Sequence, residues 1–191
     1  MEYFGIATIV LTALIAAWWW KQRGNSAVNP AIATGALLPD FDCELEDGSV
    51  IHSQSLRGKR AVILFVRGSW CPFCSEQVQS LTDHYRQISE SGGKLVIITR
   101  RPLETTKRVA EQFDVAFDFW LDKSLAAATK LDLVDQQDIP ERFQEDFGRR
   151  TILPTVLVVD EQGVIRYSYR SPKPSDRPDP VSFMSVFNAL G

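Results

Sequence analysis

Residues 61–74 read Ala-Val-Ile-Leu-Phe-Val-Arg-Gly-Ser-Trp-Cys-Pro-Phe-Cys, and this stretch decides the fold. Ala61 to Val66 is an unbroken β-branched and aromatic run, the pattern of a strand buried on both faces. Gly68-Ser69-Trp70 breaks that run. Beyond Pro72 the apolar residues Val78, Leu81, Tyr85 and Ile88 recur three or four apart, which predicts a helix. Pro72 suits the first helical position, where its missing N–H would have had no partner. Strand, turn and helix therefore open a βαβ unit, and Cys71 and Cys74 fall in the first helical turn.

Toward the amino terminus, Phe41, Cys43 and Leu45 alternate with Asp42, Glu44 and Glu46 up to Asp47-Gly48, and Val50-Ile51 resume the pattern, a β-hairpin signal. Toward the carboxyl terminus, Leu95–Ile98 reads as a second buried strand, Glu104–Phe113 as a helix, Phe117–Leu121 as a short strand and Ser124–Leu131 as helical. Asp135–Arg150 is a mixed polar insertion with a short helix expected near Glu141–Phe147. Thr155–Val159 and Val164–Tyr169 form a closing hairpin across Asp160-Glu161-Gln162-Gly163. Pro172, Pro174, Pro178 and Pro180 make Ser171–Pro180 an irregular loop, and Val181, Met184, Phe187 and Leu190 mark a terminal helix. The expected architecture is α/β: a central mixed sheet flanked by helices, with an N-terminal β-hairpin.

The chain has 191 residues, 45% hydrophobic and 24% charged, with a formal net charge of −3. That balance suits a protein with a core, and it offers no basic field to hold nucleic acid. Residues 3–20 carry no charge and end in Trp18-Trp19-Trp20 before Lys21 and Arg23, so a transmembrane anchor is expected there, with membrane as a partner. Glu2 and the bulky tryptophans do not fit a cleaved signal peptide. Residues 21–38 then read as a linker and 39–191 as the folded domain. Lys21 and Arg23 lean toward a cytoplasmic face for that domain.

Three cysteines are too few for a disulfide scaffold, so the C-x-x-C of Cys71 and Cys74 is read as chemistry. Unpaired N–H groups and the positive dipole end of a helix stabilise a thiolate, the reacting form of cysteine. The spacing lets one sulfur resolve a mixed disulfide made by the other. A zinc site needs four ligands, and only Cys43, His52 and His84 remain as soft donors without matching spacing, so neither metal nor cofactor is expected. Cys43 shares a strand face with Phe41 and Leu45 and reads as a core thiol, while His52 and His84 receive no role. Asp118, Asp122, Asp135 and Asp138 read as solvated.

Phe65 to Cys74 resembles the active-site segment of the alkyl hydroperoxide reductase/thiol-specific antioxidant superfamily, in its peroxiredoxin-like branch with R-G-x-W-C-P-x-C. Pro39-Asp40-Phe41 with Gly48 resembles that family's opening hairpin. Leu153-Pro154-Thr155, Val159-Asp160 and Gly163-Val164-Ile165 resemble the thioredoxin-fold segment that carries a cis-proline. The likeness covers most of the chain from about Pro39 and implies a thioredoxin-like fold. Anchored thioredoxin-like proteins of bacterial envelopes would place the domain in the periplasm, against the charge rule.

The resemblance implies two sets of roles. In the thioredoxin pattern Cys71 is the nucleophile and Cys74 resolves, giving a thiol-disulfide oxidoreductase. In the peroxiredoxin pattern T-x-x-C, Cys74 is the peroxidatic residue of an antioxidant peroxidase. Cys71 then stands where that pattern has Thr or Ser, and Pro154 about where it has an arginine. Arg67 is the alternative source of positive charge, although an arginine after a strand is more often solvated. Trp70 and Pro72 would line the site, and a cis Leu153–Pro154 bond would turn the Leu153 backbone toward a bound substrate. The implied partners are a protein or small-molecule disulfide or a hydroperoxide, and a thiol electron donor. Ala61–Val66 lacks the buried acid with which thioredoxins manage the proton of the second cysteine. A third reading is a non-catalytic binding module that keeps the fold for partner capture.

Overall fold

Strand β3, Ala61–Phe65, is buried at every position and lies at the centre of the sheet. A computed structural model of the chain describes residue 12 and residues 29–101, 117–137 and 139–191, apart from the side chain of Asp83. On one side β3 pairs in parallel with β4, Lys94–Thr99, which pairs in parallel with β5, Asp118–Leu121. On the other side it pairs antiparallel with β6, Thr155–Val159, which forms a hairpin with β7, Ile165–Arg170. The N-terminal hairpin of β1, Asp42–Glu44, and β2, Val50–His52, joins the β5 edge through Glu44 opposite Leu121. The order β2-β1-β5-β4-β3-β6-β7 makes a mixed sheet, as the pattern reading expected.

Successive side chains of a strand point to opposite faces, so β3 feeds two cores. Ala61, Ile63 and Phe65 join Phe41, Cys43, Trp120, Leu131 and Leu157 on one face. Val62, Leu64 and Val66 join Cys71, Cys74, Val78, Leu81, Ile97 and Phe183 on the other. Each fully buried aliphatic side chain contributes about 1.5–3 kcal/mol relative to exposure, which fixes the register of β3 against a one-residue slip. Helix α1, Pro72–Glu90, covers the second face with its Val78–Leu81–Ile88 stripe. Among the described residues the further α-helices are α2, Ala126–Lys130, the single turn α3, Gln144–Phe147, and α4, Pro180–Asn188. The last places Phe183 and Phe187 on the same face as α1.

Several expectations are corrected or bounded here. Among the described residues no helix is long and apolar enough to cross a membrane, so the expected transmembrane helix over 3–20, the single-pass membrane localisation and the membrane partner are not sustained. Of that segment only Thr12 is described. The longest described helix, α1, has 19 residues, but its apolar stripe is spent on the sheet while Glu76, Gln79, Arg86 and Glu90 are exposed. The helix expected over Glu104–Phe113 lies outside the described residues. Residues 29–38, read as the end of a linker, pack on the domain: Ile32 is fully buried, and Leu37 and Leu38 are tied to Val164 and Gly163.

The Leu153–Pro154 bond is trans, since no peptide bond among the described residues is cis. Val134 bridges Ile152, and the Leu153 N–H donates to Leu133 O at 2.6 Å. Pro154 then leads straight into β6, and its carbonyl accepts from Ser171 N–H at 2.8 Å. The insertion thus uses the backbone donor that a cis turn would have offered to a substrate. The trans bond removes the cis-proline basis for the substrate groove expected at Leu153 and Pro154.

Candidate active site

Where β3 ends, Val66 N–H donates to Ile98 O at 2.9 Å and holds the chain to the sheet for one residue more. Gly68 follows with φ +138°, a conformation that side chains avoid, and a Cβ there would lie 3.0 Å from the Trp70 ring. This glycine lets the chain fold back so that Cys71 N–H donates to Gly68 O at 3.1 Å. Cys71 is the N-cap of α1 and Pro72 occupies the first turn, as the spacing predicts. Cys74 N–H and Ser75 N–H both donate to Cys71 O.

Both thiols are free and nearly sealed from solvent, Cys71 at 2% exposure and Cys74 at 1%. They differ in charge. The hydrogen bond from the Cys74 thiol lowers the Cys71 pKa most; burial opposes it, and the Cys74 N–H and the charges of Arg177 and Arg67 add to the lowering, leaving it at about 6. The same hydrogen bond, burial and the Cys71 charge push the Cys74 thiol well above its ordinary range. The two shifts run in opposite directions, so negative charge on the pair is favoured at Cys71 and opposed at Cys74.

Among the described residues the cation in contact with the sulfurs is Arg177, in the proline-rich loop before α4. Its Nη2 lies 3.0 Å from Cys74 Sγ and 3.7 Å from Cys71 Sγ. Arg67, instead of being solvated, is 8% exposed and pairs with Asp135 at 3.1 Å, with its guanidinium over the Trp70 ring at 4.6 Å. Trp70 stacks in turn on Phe143 of the insertion at 5.6 Å. Thr151 Oγ1 donates to Arg67 O at 2.7 Å. The insertion is thus clamped against the site through the Arg67–Asp135 ion pair and the Trp70–Phe143 stack. Leu153 and Pro154 belong to the β6 approach, where their backbone groups are spent within the chain.

Other expectations change with burial. Asp135 is buried as the partner of Arg67, and Asp122 is buried because it accepts from Ala127 and Ala128 N–H at the start of α2. Asp118 pairs with Lys94 at 3.0 Å, and Asp138 lies outside the described residues. Sequence reasoning missed Arg177 altogether. Its contacts with the sulfurs span 106 and 103 residues of chain, and an irregular loop offers no periodicity to announce a long-range contact. Among the described residues no group of three or more His, Cys, Asp or Glu is placed to hold a metal.

The AhpC/TSA family matches residues 34–168. The chain is 21% identical over 151 residues to the chloroplastic peroxiredoxin Q of Triticum aestivum, covering 79% of this chain and 65% of that protein. It is 23% identical over 164 residues to the thiol-disulfide oxidoreductase ResA of Halalkalibacterium halodurans, covering 85% of this chain and 83% of that one. Among solved structures, the peroxiredoxin 6 of Arenicola marina superposes with a TM-score of 0.68 at 16% identity over 83% of this chain and 73% of that one, a likeness of fold.

Proposed function

Because the chain belongs to the AhpC/TSA family and is an oxidoreductase of the peroxiredoxin and thiol-disulfide oxidoreductase kind, we propose that its reaction is thiol-disulfide exchange with Cys71 as nucleophile and Cys74 as resolving thiol. The observation that carries this reading is the place of Cys71 at the start of α1, within 3.7 Å of the Arg177 guanidinium, where negative charge is favoured over Cys74. Cys71 thiolate attacks one sulfur of a substrate disulfide and displaces the other as a thiolate, which takes a proton. Cys74, losing its proton to the departing group or to water, then attacks Cys71 Sγ and displaces the second substrate sulfur. The substrate gains two electrons and leaves as a dithiol, and the protein keeps a Cys71–Cys74 disulfide. A thiol donor restores the reduced pair.

A second reading is supported by the Arg177 distances, because the guanidinium lies closer to Cys74 than to Cys71. In it Cys74, ionised first, attacks a hydroperoxide oxygen, becomes a sulfenic acid and releases water or an alcohol. Cys71 then condenses with it, and a second water leaves. Both cycles end in the same disulfide. Mixing Cys74→Ser with a model aromatic disulfide tests the first reading: a stable adduct on Cys71 is expected. Rapid peroxide consumption by Cys71→Ser, with a sulfenic acid on Cys74, is the result that would replace it.

A further inference from the structure

Arg177 lies outside the segment matched by the family, residues 34–168, yet it touches both sulfurs. We propose that Arg177 is a catalytic residue of the dithiol reaction, and that the strap carrying it, residues 171–179, is the cover that controls access to Cys71. The inference rests on the reading of Cys71 as nucleophile.

The strap is fixed at both ends and folded on itself. Ser171 N–H donates to Pro154 O at 2.8 Å, and Asp179 caps α4 by accepting from Val181 N–H at 2.9 Å. Between them Tyr169 O–H donates to Asp176 Oδ2 at 2.9 Å, Ser171 Oγ donates to Asp176 O at 2.7 Å, and Pro178 is buried. Arg177 Nη1 donates to Pro174 O at 3.0 Å and to Asp176 O at 2.6 Å, so one arm of the guanidinium is spent on the strap. The other arm, Nη2, is aimed at the sulfurs, and Nε is buried without an acceptor among the described residues. This fork is set by the strap and not by its targets, the arrangement in which arginine positions charge with least loss of freedom.

Two consequences follow from the burial. A sulfur that is 1–2% exposed cannot meet a substrate disulfide, so the closed strap is a resting form and turnover requires it to lift. The attraction that holds it down is the charge-assisted contact with the Cys71–Cys74 pair. When the pair becomes a disulfide its negative charge is gone, and Arg177 loses its anionic partner. The reduced site is then closed and activated, and the oxidised site is loosened, presenting the disulfide to its thiol donor. Activation and access are coupled through one side chain.

The test is the pH profile of iodoacetamide alkylation at Cys71 in the reduced full-length chain, read by mass spectrometry, for wild type, Arg177→Gln and Arg177→Lys. Among the described residues, the charged and titratable groups about Cys71 are Cys74 on α1, Arg67 with Asp135 from the insertion, and Arg177 with Asp176 and Tyr169 behind it, so removing Arg177 leaves Arg67, itself paired with Asp135. Arg177→Gln is expected to raise the alkylation midpoint by about one pH unit, a tenfold change in ionisation. It is also expected to raise the rate plateau above the midpoint, because the cover is no longer held. Arg177→Lys should restore most of the midpoint shift and less of the closure. A midpoint unchanged in both variants overturns the catalytic role. A raised midpoint with an unchanged or lower plateau overturns the cover. If Arg177→Gln loses its folded circular dichroism, Arg177→Met, which also removes the charge, takes its place with the same expected and contrary outcomes. No substrate takes part, so failure here is distinct from failure of the exchange reading, which the trapping of Cys71 decides.

Discussion

Cys43 and Cys71 are equally hidden, at 4% and 2% exposure, on opposite faces of one sheet, and their chemistry is opposite. Burial pushes the Cys43 thiol up to about 12, with Asp122 and Asp42 adding to the rise, whereas Cys71 sits at about 6. Desolvation acts on both in the same direction. The difference is what the remaining neighbours offer. Cys43 lies in mid-strand, where its backbone is committed to the ladder and its nearest charges are carboxylates. Cys71 lies where a strand hands over to a helix, with the Cys74 thiol and N–H and the charges of Arg177 and Arg67 acting on it. A buried thiol becomes a reagent through its donors, not through its exposure.

The largest expected effect on this comparison comes from removing each sulfur in turn. Cys71→Ser should reduce exchange with a model disulfide to background, while Cys43→Ser should leave the rate within about twofold, since a core thiol acts as a small hydrophobe. Comparable losses in both variants would erase the distinction. Next in size is the clamp of the insertion. Asp135→Ala strands the Arg67 guanidinium in a site where both side chains are under 10% exposed, and the expected cost is about 3–5 kcal/mol in urea unfolding. A loss below about 1 kcal/mol would mean that the pair is solvated in solution.

The pH dependence of stability is a subtler probe. Cys71 has a folded pKa below its unfolded value of about 9, so its contribution is full above about pH 9 and is lost as the pH falls through about 6. The reduced chain should therefore gain stability relative to Cys71→Ser as the pH rises from about 6 to 9. Above that, Cys43 ionises more readily in the unfolded chain and the absolute stability of both proteins falls. The smallest effect is that of the stack: Phe143→Leu should cost about 0.5–1.5 kcal/mol through loss of the ring pairing with Trp70.

Local pattern made much of this legible in the sequence. The run Ala61–Val66, the break at Gly68 and the stripe from Val78 to Ile88 are local signals, and they placed the central strand, the turn and the helix start, and with them both cysteines. The hairpins announced themselves through Asp47-Gly48 and Asp160–Gly163. What escaped was long-range and polar. Arg67 with Asp135 and Asp122 at the α2 start are buried, and Arg177 is brought to both sulfurs, through partners that no periodicity reveals; the local pattern reads each as solvated or as loop. The trans Leu153–Pro154 bond is likewise not announced by local pattern; beside it the Leu153 N–H is bonded to Leu133 O, a contact across 20 residues of chain.

The account rests on equal burial and unequal reactivity, and site-resolved competitive alkylation measures that directly. Reduced wild-type chain is exposed to limiting iodoacetamide at pH 7, and the label is assigned by peptide mass spectrometry. The predicted result is label concentrated on Cys71, with Cys43 and Cys74 unmodified until the chain is unfolded. Label distributed between Cys71 and Cys43, or found first on Cys74, would contradict it.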